Sequence, residues 1–179
     1  MHFIASISLA LLASTSLALP RPEVHDHGVA DISVRTLPSN FYRLAQQAIQ
    51  QYGPGVTKTM MHSGIGPRNA FKVAKQLNLQ IVETTILTAI NKDKKTYKGL
   101  KAYCKKQDDF CNHSGRDGDE WVEAWNEISK AWAEYAQQKT TLAIKEGQPP
   151  AATSFYERVE KKVLTDNGVQ ITVVQVKTE

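Results

Sequence analysis

The stretch 79-LQIVETTIL-87 decides how this chain is read. Apart from Glu83 it is dominated by β-branched and aliphatic residues, and its alternation reads as a buried strand with Leu79, Ile81, Thr85 and Leu87 on one face. Glu83 interrupts that pattern. An ionised carboxylate in such a run costs several kcal/mol unless it is paired, hydrogen-bonded or open to a ligand cavity. Glu83 is therefore expected to point into a crevice; a solvated glutamate on an edge strand is the rival reading.

Around this stretch the pattern alternates. VTKTMM (56–61), TTLAIK (140–145) and VQITVVQV (169–176) are strand-like, with 79–87 as the second strand in order. Helical spacing marks FYRLAQQAIQQY after Ser39, the segment from Pro67 to Leu77, a stretch near Tyr97 to Lys105, and a segment after Ser154. A longer helix, from an Asp117 or Asp119 cap to about Gln137, carries Trp121, Trp125, Ile128, Trp132 and Tyr135 on one stripe. The expected fold class is α/β: a central four-stranded parallel sheet with flanking helices and an N-terminal helical cap. In such a sheet, ligands sit beyond the carboxyl ends of the strands. Three segments meet there: His62 to Gly66, the Glu83 strand, and the loop from Glu146 to Ser154 leading to Tyr156 and Glu160.

Residues 1–18 of the 179 contain no acid, lysine or arginine, and run from an apolar stretch into Ser16, Leu17 and Ala18. This reads as a secretory signal peptide, too short for a membrane span, so the mature product is expected to be secreted, extracellular and not anchored. Residues 19–38, with three prolines, read as an extended N-terminal arm, and 39–179 as a single domain. In the arm, His25 and His27 are too few for a metal site, and no metal is expected. Cys104 and Cys111 are expected to form a local disulfide worth roughly 2 kcal/mol that pins a surface loop. Asn112-His113-Ser114 is a glycosylation sequon. Lysine plus arginine exceeds aspartate plus glutamate, 22 against 18, for a net charge of +4. Seven lysines lie between Lys92 and Lys106 against one acid, which reads either as a solvated face or as attraction for a polyanion.

Four pieces stand in a telling order: MMHSG (60–64) with the helix AFKVAKQL, then IVETTIL, then WNEISKAWAEYA (125–136), then TSFYERVE (153–160). Together they resemble the ADP-ribosyl cyclases and their NAD glycohydrolase relatives. In that family a strand ends in Trp-Ser before a helix, the next strand carries Thr-Leu-Glu, a Trp opens a helix ending in Phe-Ala-Glu, and Ser-x-Phe-x-x-Val-Glu supplies the catalytic glutamate. The resemblance spans roughly 120 residues and implies Glu160 as that catalytic glutamate. It makes Glu83 the carboxylate that contacts nicotinamide and helps choose between cyclisation and hydrolysis. Trp125 becomes a stacking tryptophan, Ser63 a phosphate-contacting serine, Tyr156 the aromatic residue facing the nucleotide, and Ser154 its companion serine. His62 stands where the family has tryptophan and Gly64 where it has arginine, and the family's animal members carry many more disulfides.

What the resemblance implies is a secreted enzyme that cleaves the nicotinamide–ribose bond of NAD, hydrolase rather than cyclase, with NAD as substrate and no separate cofactor. Spacing alone gives blander readings: Trp125 on the core stripe, Glu160 as surface helical charge, Gly64 and Gly66 as turn residues. A non-catalytic secreted effector or binding protein on the same scaffold is the alternative. A small secreted ribonuclease is a third, and it needs two placed histidines where the sequence positions only His62. No membrane or nucleic-acid partner is expected.

Overall fold

A computed structural model describes residues 37–114 and 118–178. The expected signal peptide and almost all of the arm, including His25 and His27, lie outside the described residues.

The chain is mixed α/β. Its parallel sheet has three strands, β1 (Met60–Ser63), β4 (Lys139–Lys145) and β5 (Gln170–Val176), in the order β1-β4-β5. Met60 pairs with Thr141 and Ser63 with Ile144, while Lys139 pairs with Gln170 and Lys145 with Val176. The expected fourth strand at 79–87 is the correction. Its sheet pairing shrinks to one parallel bridge between Thr59 and Gln80, where the Met60 N–H donates to the Gln80 carbonyl at 2.8 Å. From Val82 to Lys92 the chain is helix α3, which buries Val82, Ile86, Ala89 and Ile90 at i, i+4, i+7 and i+8. Thr84 and Thr88 fit because their hydroxyls donate to the carbonyls of Ile81 and Thr84 at 2.8 Å. Tertiary burial on most sides of this helix overrides the β-branched preference.

The remaining helices pack on both faces of the sheet. Met61, Leu142 and Ile144 look into the larger core, which is shared with α1 (Phe41–Tyr52), α3 and the tryptophan helix α5 (Asp119–Tyr135). Met60 and Ala143, one residue out of phase, pack with Ala70 and Ala74 of α2 (Gly66–Gln76) on the other face. Trp132 is fully buried and its indole donates to the Met60 carbonyl at 3.3 Å, tying α5 to β1. Among the described residues, no helix is long and apolar enough to cross a membrane.

The expected helix from Tyr97 to Lys105 is only α4 (Lys98–Lys101). A hairpin follows it, β2 (Lys105–Gln107) and β3 (Phe110–Asn112), stapled by the Cys104–Cys111 disulfide with Cα atoms 4.9 Å apart. The pairing is as expected, but its setting is not a surface loop: Cys111 and Phe110 are fully buried and Cys111 belongs to the larger core. After β4, a π-helical turn (Tyr156–Glu160) leads into α6 (Lys161–Asp166).

Candidate functional site

At the carboxyl end of β1, His62 and Ser63 mark the place where the chain turns into α2. Gly64 and Gly66 take φ values of +74° and +71°, a left-handed conformation that makes glycine the natural residue in this turn. Beside the turn, Glu83 stands at the second position of α3, fully buried. Its carboxylate therefore lies at the positive end of the helix dipole. His62 Nε2 lies 2.6 Å and His113 Nε2 2.8 Å from the same oxygen, Glu83 Oε1. Glu83 is thus held by a helix start and two imidazoles rather than by a strand.

Glu160 reaches the same cavity from the π-helical turn. A small pocket of about 10 Å³ is bounded by His62, Glu83, His113, Trp125, Phe155 and Glu160, among others. It adjoins an open crevice of about 400 Å³ that shares His62, His113 and Phe155 with it and continues past Gly64, Gly66, Pro67, Ser114 and Ser154 to the start of α2. The N-terminus of a helix offers backbone N–H groups to anions, and this crevice runs to one.

The two carboxyl groups differ sharply. Burial pushes Glu160 up to about 8; the charge of Glu83 adds to this, while His62 and the Ser129 hydroxyl pull the other way. Burial also acts on Glu83, but the charge of His62 and the hydrogen bonds from His113 and His62 outweigh it and hold the carboxyl below its usual range. His62 is shifted upward: burial opposes its charged form, and the Glu83 charge and hydrogen bond, with Glu160 behind them, more than offset that. One carboxyl is thus kept ionised and the other is kept protonated at neutral pH, the kind of divergence that assigns different chemical roles to two acids.

The remaining candidates divide. Trp125 forms the floor of the cavity but is fully buried, its indole donating to the Tyr103 carbonyl at 2.9 Å. Its face is covered by His113, whose ring centroid lies 4.6 Å away. His113 also lies nearly parallel to His62, with centroids 6.0 Å apart and planes 14° apart. Ser63 is buried and engaged within the protein: its hydroxyl donates to Ser154 Oγ at 2.8 Å and accepts the Ala151 N–H at 2.7 Å, which fixes the loop after β4 against β1. Ser154 lines the crevice. Tyr156 is buried in the larger core, and Phe155 lines the cavity in its stead.

His113 was not among the sequence candidates, although it occupies the middle position of the sequon. The only available signal was that Cys111, two residues earlier, anchors the segment. Asn112 is partly buried at the end of β3, its amide donating to Gln107 and its Oδ1 accepting the Ser114 N–H at 2.9 Å. The seven lysines from Lys92 to Lys106 are all exposed, and none lines the cavity or the crevice. No family model matches the chain, and no curated protein matches it.

Proposed function

We propose that this protein is a secreted NAD-consuming enzyme that cleaves the nicotinamide–ribose bond, a divergent relative of the ADP-ribosyl cyclases acting chiefly as a hydrolase. The observation that carries this reading is the meeting of Glu83 and Glu160, 77 residues apart in sequence, at one buried cavity with His62 and Trp125. That cavity opens into a crevice ending at the α2 N-terminus. In this scheme the adenosine diphosphate part lies along the crevice, with the diphosphate toward Gly64 and Gly66 and their helix start. Ser154 supplies a further polar contact, and Ser63 positions the loop.

The chemistry assigns the acids. Breaking the bond between C1 of the ribose and the pyridinium nitrogen sends the bonding electrons to the ring, which leaves as neutral nicotinamide, and an oxocarbenium-like centre develops on the sugar. Water captures that centre and releases a proton. A carboxylate facing the developing charge stabilises the transition state more than the ground state. Glu160 takes this role once ionised, and the arriving nicotinamide cation, an opposite charge beside it, favours its ionisation. Glu83, already ionised, meets the nicotinamide end, where His62 supplies a flat ring.

One observation favours the second reading, a binding protein without turnover. His113 packs near both rings, its centroid 4.6 Å from that of Trp125 and 6.0 Å from that of His62, so it competes with a nicotinamide ring for those two surfaces. Turnover therefore requires His113 to swing out.

Incubating the purified mature chain with NAD separates the two readings. The enzyme is expected to release free nicotinamide, with kcat/KM rising as pH passes through about 8, where Glu160 ionises in the free protein. NAD bound without nicotinamide release would select the binding protein.

A further inference from the structure

We propose that His62, Glu83 and His113 form a binding site for a divalent transition-metal ion of the zinc class, a site that does not depend on NAD cleavage. Three separate elements supply the ligands: the end of β1, the first turn of α3 and the residue after β3. Their donor atoms lie within 4.8 Å of one another. Both imidazoles turn Nε2 toward Glu83, at 2.6 and 2.8 Å from one carboxylate oxygen. The other oxygen, Oε2, is buried and has no hydrogen-bond partner.

That last atom points to a cation. A buried carboxylate oxygen without a partner is costly, and a metal ion held by both oxygens of Glu83 would satisfy it. The pocket these three residues line, about 10 Å³ with His113 in its present position, has room for one water or ion. The donor set narrows the choice. Two imidazole nitrogens and one carboxylate oxygen are the three protein ligands of many zinc sites, whereas calcium and magnesium take sets of oxygen ligands. Tetrahedral ligands at about 2.0 Å from zinc stand roughly 3.3 Å apart. His62, now at 2.6 Å, therefore has to withdraw by about 0.7 Å and His113, at 2.8 Å, by about 0.5 Å to admit the ion. His113 is braced for this by Trp125 at 4.6 Å and by the edge of Phe155 at 5.3 Å.

The ion would lie at the nicotinamide end of the cavity. If NAD is the substrate, zinc is then a competitive inhibitor; this corollary alone rests on the proposed function.

The test is a calorimetric titration of the full chain with ZnCl2 after chelator treatment and dialysis. One Zn2+ per chain is expected. Binding should weaken by about 100-fold or more in both His113→Ala and Glu83→Gln, since even the loss of a group that only supports a ligand costs 10- to 100-fold. The His25→Ala/His27→Ala double variant should bind as wild type does. Circular dichroism checks each fold, and His62→Ala replaces any variant that fails it. Co2+ added in place of zinc should give the visible absorption of a tetrahedral site in wild type and lose it in His113→Ala. Absence of binding to wild type, or undiminished binding in His113→Ala, overturns the proposal. Because the readout is binding, it stands or falls whether or not nicotinamide is ever released.

Discussion

Glu160 is buried, with 4% of its surface exposed, and its carboxyl is pushed up to about 8 from an ordinary 4.5. A folded-state value above the unfolded one means that the neutral form binds its proton more tightly in the native protein. The associated stability is complete below about 4.5 and is lost as pH rises toward about 8. Glu160→Gln imitates the neutral carboxyl and removes this loss. Thermal melts from pH about 5 to about 9 should show wild type falling relative to the variant; parallel curves would mean that Glu160 is ordinarily solvated in the native state. The sequence could single out Glu83 because a lone acid in an apolar run is anomalous whichever element contains it. It could not single out His113, whose neighbours form an exposed-looking polar motif. Nor could it choose Phe155 over Tyr156, because two adjacent aromatic residues at the start of a five-residue turn carry no periodic signal.

At the scale of elements, 79–87 has the pattern of a strand and folds as a helix for a definable reason. Residues 82, 85, 86, 87, 89 and 90 are all buried, so the polar face of the helix is only the narrow stripe Thr84, Thr88 and Asn91, most of it at or beyond the end of the apolar run. A short apolar window cannot separate a buried strand from a buried helix segment; the pattern resolves only when Ala89 and Ile90 are included. The helix reading makes a contrast that a strand does not. Ile86→Ala, at a fully buried position, should cost about 2 to 5 kcal/mol in urea unfolding. Thr88→Ala, which gives up one local hydroxyl bond and gains helix propensity, should stay within about 0.5 kcal/mol. Equal costs at the two positions would contradict helix α3. The hairpin was missed because its strands are three residues each, too short for alternation to register. Its disulfide was legible from cysteine number and spacing, but its burial was not. With Cys111 in the core, the Cys104→Ala/Cys111→Ala variant should lose about 3 kcal/mol. A urea midpoint unchanged by the double substitution would return the bridge to the surface role expected from sequence.

The whole molecule sets helices on two faces of a short parallel sheet and gathers its unusual polar groups at the carboxyl end of β1. This placement followed from sequence even with one strand misassigned, because β1, β4 and β5 fix the direction of the sheet and Gln80 still bridges to Thr59. Glu83 therefore arrives beside β1 whether the residues after Gln80 extend or coil. The assignment of chemistry to that end rests on one carboxyl above all. Steady-state nicotinamide release from NAD, measured side by side for wild type, Glu160→Gln and Glu157→Gln, tests it most directly. Glu157 lies in the same turn but pairs with Lys161 at 3.0 Å at the surface. Wild type should turn over and Glu157→Gln should match it. Glu160→Gln should fall by about two or more orders of magnitude while still binding NAD, the scale of losing one electrostatic stabiliser of the transition state. Nicotinamide release by Glu160→Gln at the wild-type rate, or by none of the three proteins, would contradict the assignment.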